Sequence, residues 1–271
     1  MARSRAAGAI SSRAPAGLQG PSRVAVGTIG FLLLFLGTVI LAHHQDWLDR
    51  PAAIAVNNLA LNWPFAGWLA AGLAYPSVEG VIALSLVWGC WFSVNAPQSR
   101  ARLVSGVFAG VLAGVLAYLV QHALPPMPKP LFDPLLRLHP PAVLGDFDAS
   151  TANPFAASPT FPSERATMFA GLAIAVLLIR RRLGLLALGC TMLVESSRIF
   201  LGLHYPSDIM GSYFLAGTIA CLGQMRAGVR IGRLLVEWEE ASPATFYMCA
   251  YFASYEMTSG FADFRELIAQ I

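Results

Sequence analysis

The chain has 271 residues, of which 56% are hydrophobic and only 12% are charged, and its mean hydropathy is +0.60. Soluble domains carry about 25% charged residues, so the composition excludes an ordinary soluble domain and predicts an integral membrane protein. The formal net charge is only +3, and we expect no nucleic-acid partner. None of the four cysteines has metal-ligand spacing, and we predict neither a metal nor a cofactor.

In chain order, residues 1–22 are rich in Ala, Ser, Gly and Arg and are predicted to form a disordered cytoplasmic arm. A membrane-embedded domain is predicted over 23–228. It contains six apolar runs that could cross a bilayer, at about 24–42, 78–95, 103–124, 166–179, 183–196 and 208–225. The 54–74 stretch is interrupted by asparagines and Pro64, so we predict an interfacial or re-entrant segment there, with a seventh span as the alternative.

The arginines predict the orientation of these spans. Clusters precede the first run, separate the second from the third and the fourth from the fifth, and follow the sixth. With six spans every cluster falls on one side, which the positive-inside rule makes cytoplasmic. The predicted fold class is therefore all-α, a six-helix bundle in the inner (cytoplasmic) membrane with both termini cytoplasmic. Residues 229–271 are predicted to be a cytoplasmic tail, whose role the sequence does not indicate.

The longest polar segment, about 125–162, joins the third and fourth spans on the outward side. It contains ten prolines together with Asp133, Asp146 and Asp148. Proline at this density excludes regular helix, and long loops between packed elements are commonly functional. We predict that the loop forms a lid or a wall of an active site.

Between the fifth and sixth runs stand Ser197, Arg198, His204 and Asp208, a set of residues suited to phosphoryl transfer. Arginine offers a planar fork of donors that matches phosphate oxygens. A neutral histidine can attack phosphorus, and a carboxylate on its other ring nitrogen fixes the tautomer.

Two further segments lie at outward ends of the predicted spans. Ser163 immediately precedes the fourth run, as a helix N-cap does, and Arg165 follows in the first turn. A cation there is unfavourable to the helix dipole, which indicates an acidic ligand. At the end of the third run stand His122 and Lys129; singly, an interfacial lysine and a helix-end histidine would need no ligand.

Together these segments resemble the type 2 phosphatidic acid phosphatase superfamily of membrane lipid phosphate phosphatases. The third motif of that family, serine-arginine, five residues, histidine, three residues, aspartate, is complete here. Its second motif, proline-serine-glycine-histidine or with an acidic third residue, is matched by Pro162, Ser163 and Glu164, but Arg165 replaces the histidine. Its first motif, lysine, six residues, arginine-proline, keeps its spacing, with His122 for the lysine and Lys129 for the arginine.

The resemblance implies that His204 is the nucleophile, which forms a phosphohistidine, and that Asp208 orients it. Arg198, Lys129, Ser163 and His122 would bind phosphate oxygens, and Ser197 belongs to the same motif. No metal is implied. The implied activity is removal of phosphate from a membrane lipid at the outer, periplasmic face.

The replacement at position 165 changes this expectation, because the family histidine protonates the leaving oxygen and an arginine with a pKa above about 12 cannot. A lipid monophosphate leaving from a diphosphate is a stable anion that needs less protonation. Arg165 is therefore predicted to bind phosphate and to favour a polyprenyl diphosphate, with His122 or Glu164 as a substitute acid. Two alternatives stay open, a phosphotransferase to a glycolipid acceptor and a non-catalytic lipid-phosphate-binding protein, while a transporter is disfavoured. The sequence does not indicate the oligomeric state.

Overall fold

A computed structural model describes residues 21–139, 159–259 and 261. Nearly all of the predicted arm, Asp146 and Asp148 of the proline-rich loop, and residues 262–271 lie outside this part of the chain. Within it, all regular structure is helical, with ten α-helices, one 3-10 helix and no strand. The predicted all-α class is confirmed.

Proline or polar residues mark most helix starts. Proline occupies the first turn of α3, α4, α5 and α8, where its missing N–H costs no hydrogen bond. The helices are α1 (Pro21–His43), α2 (Asp49–Asn62), α3 (Pro64–Leu73), α4 (Pro76–Phe92), α5 (Pro97–Ala123), α6 (Glu164–Ile179), α7 (Arg181–Phe200), α8 (Pro206–Gly223), α9 (Arg226–Ala241) and α10 (Pro243–Ser259). The 3-10 helix covers Pro130–Phe132, between α5 and α6.

The six predicted runs coincide with α1 and α4 to α8, and the 54–74 stretch becomes α2 and α3, which break at Trp63. Three helices are long and apolar enough to cross a bilayer: Ser22–His43, Pro97–Ala123 and Arg181–Phe200. A fourth crossing arises if α3 and α4, bent by 54°, count as one broken span. At 16 residues α6 is about 24 Å long, shorter than the roughly 30 Å hydrocarbon core. Six full crossings with both termini cytoplasmic therefore stay a prediction.

The outer surface of the bundle matches a lipid environment. On α1, Val26, Ile29 and Leu33 are 71%, 58% and 63% exposed, and further large apolar side chains are exposed on α5 and α7. Monomeric soluble proteins rarely expose apolar patches of this extent. The chain is a membrane protein.

Helix α6 forms the centre of the bundle and packs on α5, α7, α8 and α4. It packs most extensively on α5, and there a Cβ placed on Gly171 would lie 2.5 Å from the Cα of Gly110. Small residues permit such backbone contact between membrane helices. The close crossing of α5 and α6 brings the end of α5 next to the first turn of α6, where the motif residues stand.

The helix directions give the bundle two distinct ends. At the site end, α1, α5 and α7 finish and α4, α6 and α8 begin. At the arginine end, Arg100 and Arg102, Arg180 to Arg182, and Arg226, Arg230 and Arg233 flank the helix termini. The structure thus puts these clusters at one end, as the positive-inside argument requires.

The predicted tail forms two helices that belong to the bundle. Helix α9 packs on α5 near the arginine end, where Arg100 bonds to Glu239 at 3.3 Å. Helix α10 then runs antiparallel to α4: Phe246 stacks on Trp91 near one end of α4, and Thr258 abuts Gly80 near the other. This packing favours a tail that returns to the site end alongside α4, rather than one that stays at the arginine end.

Candidate active site

The turn between α7 and α8 is built by a helix-capping motif. The N–H of Leu203 donates to the carbonyl of Arg198 at 2.9 Å, and the N–H of Gly202 donates to Ile199 at 3.0 Å. This is the Schellman pattern, which needs a left-handed residue, and Gly202 supplies it with φ of 72°. The cap reverses the chain just after Arg198, so that the five-residue spacing brings His204 back to the same end of α7.

Asp208, in the first turn of α8, anchors the histidine. Its Oδ2 accepts hydrogen bonds from the Tyr205 N–H at 2.7 Å and from the Thr160 hydroxyl at 2.5 Å. The Nδ1 of His204 lies 3.3 Å from the same oxygen and 3.2 Å from the hydroxyl oxygen of Thr160. With Nδ1 engaged as a donor, the neutral ring keeps its lone pair on Nε2, the nitrogen that a nucleophile needs.

Lys129 and Ser163 come to the same end from the loop and from α6. Both are buried, 3% and 2% exposed. Burial lowers the pKa of Lys129 to about 8, and the negative charges of Asp208 and Glu164 oppose that shift. Ser163 is the N-cap of α6, and its Oγ accepts the N–H of Ala166 at 3.4 Å.

Arg198 is buried, 7% exposed, and faces two acidic side chains. Its Nη2 lies 3.5 Å from an oxygen of Glu79, and its Nε lies 3.7 Å from an oxygen of Glu195 one turn earlier on α7. Arg165 is close enough to Arg198 and to both glutamates to interact with all three electrostatically. Arg198, Glu79 and Glu195 are buried and Arg165 is half-buried, and these four residues form an arginine–glutamate cluster.

The cluster is incompletely hydrogen-bonded. Among the residues that the structure describes, Oε1 of Glu79 and both carboxylate oxygens of Glu195 accept no hydrogen bond, and Nε of Arg198 donates none. Buried polar atoms are normally satisfied, so the cluster is arranged for something other than stability alone. The guanidinium of Arg198 has five N–H donors, more than these contacts use.

His122 and Ser197 have other contacts. His122 is exposed on α5, and its Nδ1 lies 2.8 Å from the carbonyl of Tyr118, four residues earlier. The Ser197 hydroxyl donates to the Val194 carbonyl at 2.5 Å within α7. The structure thus joins His204 to Asp208, brings Lys129 and Arg165 close enough to interact electrostatically with Asp208 and Arg198 respectively, and gives His122 and Ser197 contacts within their own helices.

Three residues of the site escape the motif argument: Thr160, Glu79 and Glu195. The two glutamates stand inside predicted spans, and an acidic residue in a span is itself a sign of function. Thr160 lies three residues before Ser163 and carries no such signal, because the sequence does not distinguish it from the other hydroxyl side chains of the loop.

A second layer of ion pairs holds the loop against α8. The Tyr205 hydroxyl donates to Asp133 at 3.0 Å, and Arg50 donates to the same carboxylate at 3.3 Å. Asp49 accepts from both the N–H and the hydroxyl of Ser207 at the start of α8, at 3.1 and 2.5 Å. Burial raises the pKa of Asp49 to about 6. These contacts fix the predicted loop wall and the first turn of α8 to each other.

Comparison with known proteins agrees with this geometry. The family model described as the PAP2 superfamily matches residues 102–227. The matched segment, a little under half of the chain, is similar to the PAP2 superfamily. It contains every motif residue named above, whereas Glu79, α9 beyond its first turn and α10 lie outside it.

One curated relative is "Undecaprenyl-diphosphatase BcrC" of Bacillus subtilis (strain 168), 38% identical over 72 residues. The alignment covers 27% of this chain and 37% of that protein, so the chain spans little more than a third of the length of the relative. No solved structure matches the chain.

Proposed function

We propose that this protein hydrolyses the phosphoanhydride of a membrane lipid diphosphate through a phosphohistidine at His204. The observation that carries the proposal is the engagement of His204 Nδ1 by Asp208 and Thr160, at 3.3 and 3.2 Å. A site that only bound phosphate would not need an oriented histidine. The PAP2 match and the relative named an undecaprenyl-diphosphatase support the same chemistry.

In the first step, Nε2 of His204 attacks the terminal phosphorus. A P–N bond forms, and the bond from phosphorus to the bridging oxygen breaks, so the lipid monophosphate leaves with the electron pair. Asp208 stabilises the positive charge that develops on the ring. In the second step, water attacks the phosphohistidine, the P–N bond breaks, and inorganic phosphate is released with the proton from water.

The chain contributes mainly position and charge to both steps. We assign to Arg198 and Lys129 the neutralisation of the phosphoryl oxygens as the transferred group becomes planar, and such preorganised donors are worth about 10²–10³ in rate each. Ser163 places the start of α6, with its free amides, at the same site. No step requires a metal ion from the protein.

Arg165 is the reason to favour a diphosphate. An arginine cannot supply the proton that an alkoxide leaving group requires, but it can stabilise the added negative charge of a leaving phosphate. Its proximity to Arg198 gives the site two guanidinium groups for the two phosphates of such a lipid.

The arginine end carries the basic clusters, and the positive-inside rule assigns that end to the cytoplasm. The proposed site therefore faces the periplasmic side of the inner membrane, where the phosphate of a carrier lipid would be released.

The experiment is phosphate release by purified protein in detergent from undecaprenyl diphosphate and from a lipid monophosphate. We expect the diphosphate to be preferred by at least about tenfold. Arg165→His restores the residue of the family motif and a general acid, which is worth about 10²–10⁴ in rate, so it should shift the preference toward the monophosphate. Equal hydrolysis of both lipids by the wild type would refute the diphosphate assignment.

A further inference from the structure

Two adjoining cavities separate α5 from α10. The larger, about 390 Å³, lies between α4, α5, α9 and α10, and the smaller, about 320 Å³, lies between α5 and the start of α6. Val111 and Phe261 line both, so the cavities adjoin each other. Along α5 this α5–α10 groove extends from Leu103 to Tyr118, which is about 23 Å of helix.

The chemistry of the groove changes along its length. The larger cavity is lined by apolar and aromatic side chains, with Ser254 and Cys249 the most polar among the described residues. The smaller cavity, at the site end, contains the charged residues Glu164 and Arg165. A long apolar channel with charge at one end is complementary to an amphiphile, with its head group at the charged end.

The charged end is close enough to the proposed active site to interact with it electrostatically. Arg165 interacts with Arg198, and the charge of Glu164 acts on Lys129. Glu164 would repel an anionic head group by itself, but Arg165 and Lys129 both lie close enough to offset its charge.

Helix α10, which forms one side of the groove, lies outside the segment that matches the family model. It packs mainly on α4 and α9, and Trp88 donates to Ser254 at 3.2 Å while Trp91 donates to Tyr247 at 3.1 Å. These contacts hold α10 away from α5. Helix α10 therefore forms one wall of the groove and does not fill it.

From this geometry we infer that the α5–α10 groove binds the apolar chain of the lipid diphosphate, with α10 as one wall and Arg165 at the head-group end. The inference rests on the proposed function and adds the means by which the enzyme selects a long chain. Cavities of this size are typical of ligand sites. Binding of the remote chain can contribute to the rate at the phosphate, since remote contacts help position the reacting group.

The test narrows the groove and compares chain lengths. Ala253 lines the middle of the groove on α10, and Ala253→Trp would obstruct it; Tyr251, which is 76% exposed on α10 and does not line the groove, gives the matched control Tyr251→Trp. Phosphate release is measured from undecaprenyl diphosphate and from geranyl diphosphate, whose chain is too short to reach Ala253 from Arg165.

We expect Ala253→Trp to lower kcat/KM for undecaprenyl diphosphate by about tenfold or more. The same variant should leave kcat/KM for geranyl diphosphate within about twofold of wild type. Tyr251→Trp should change kcat/KM for neither substrate. An equal loss on both substrates, or no loss on either, would overturn the inference.

A binding readout separates this inference from the proposed function. A diazirine-tagged polyprenyl diphosphate is photolysed with the full-length wild type, and the labelled peptides are mapped. Labelling of α5 and α10 that excess undecaprenyl diphosphate displaces, and phosphatidylcholine does not, supports the groove even if turnover is absent. Labelling spread over α1, or displaced equally by phosphatidylcholine, indicates bulk lipid and contradicts it.

Discussion

The nucleophile half of the site, His204 with Asp208 and Thr160, is assembled by four hydrogen bonds of 2.5–3.3 Å, two of them within the turn from α7 to α8. The arginine half, Arg198 and Arg165, is held instead by two buried carboxylates at 3.5 Å and beyond, one of them 119 residues away on α4. In the nucleophile half, these hydrogen bonds form without a ligand. The arginine half leaves buried donors and acceptors unused among the described residues.

This difference assigns the two halves different tasks. A group that must attack needs a fixed orientation before substrate arrives, and the hydrogen bonds to Asp208 provide it. A group that must bind a substrate anion needs a positive charge that is present before the substrate arrives. Buried carboxylates lower the free-energy cost of placing that charge in a membrane. While no substrate is bound, the glutamates partly neutralise the charge of the arginines, as the phosphates of a substrate would.

The largest effect is expected from His204→Ala. Removal of the nucleophile should lower kcat for undecaprenyl diphosphate by about 10⁴-fold or more, as for nucleophiles that act as a unit with their partner. Phosphate release is the measurement, with thermal unfolding as the control for folding. Retention of more than a tenth of the activity by a folded variant would exclude His204 as the nucleophile.

Glu79→Gln tests the arginine half. Loss of one carboxylate leaves excess buried positive charge and should lower the free energy of unfolding by about 3 kcal/mol. Because phosphate can replace the missing charge, inorganic phosphate should raise Tm more in this variant than in the wild type.

Asp46→Asn serves as the control for Glu79→Gln, because the Asp46 side chain is 79% exposed and its pair with Arg50 contributes little. If phosphate stabilised all three proteins equally, Glu79 would not balance the charge of a phosphate site.

Thr160→Val sharpens the account of the nucleophile half. The change removes the hydroxyl that donates to Asp208 at 2.5 Å while it keeps the shape of the side chain. We expect kcat to fall about tenfold, in line with a lost hydrogen bond to a charged group of about 1.5–3 kcal/mol, with KM little altered. Thr160→Ser keeps the hydroxyl and should restore most of kcat; a serine variant as impaired as the valine variant would argue for a packing role.

The smallest effect is expected from pH. Lys129 has a pKa of about 8, so it carries its charge below pH 8 and loses it as the pH rises through 8. We expect kcat/KM to fall severalfold across that range, and Lys129→Arg, which stays protonated, to remove the decline. An unchanged decline in the arginine variant would assign it to another group.

Stability should respond to the same group in the opposite direction. Between pH 8 and the usual lysine pKa of 10.5, the unfolded chain binds a proton that the folded protein does not. The contribution of Lys129 to stability therefore increases with pH over this window, while activity declines.

Sequence patterns predicted the helices well and part of the site. The apolar run 166–179 became Glu164–Ile179, and 208–225 became Pro206–Gly223, since such runs end where proline or arginine interrupts them. His204 and Asp208 are four residues apart, so their contact follows from local geometry at a helix start. Local spacing was sufficient for the His204–Asp208 pair but not for Thr160, which reaches the pair from 44 residues away.

The rest depended on contacts between distant parts of the chain. Glu79 meets Arg198 only because α4 packs on α7, and no local pattern encodes that pairing. The return of α10 along α4 likewise arises from aromatic packing between Trp91 and Phe246. His122, placed by spacing among the phosphate ligands, is exposed and bonded along its own helix, because helical periodicity at the end of α5 decides which way a side chain faces.

The central claim is a phosphohistidine at His204, and trapping that intermediate tests it most directly. Purified protein is mixed with undecaprenyl diphosphate that carries ³²P on the terminal phosphate, quenched in alkali, and analysed by peptide mapping. The account predicts acid-labile, alkali-stable label on the peptide with His204, and none in His204→Ala. Release of phosphate without label, or label on another residue, would contradict it.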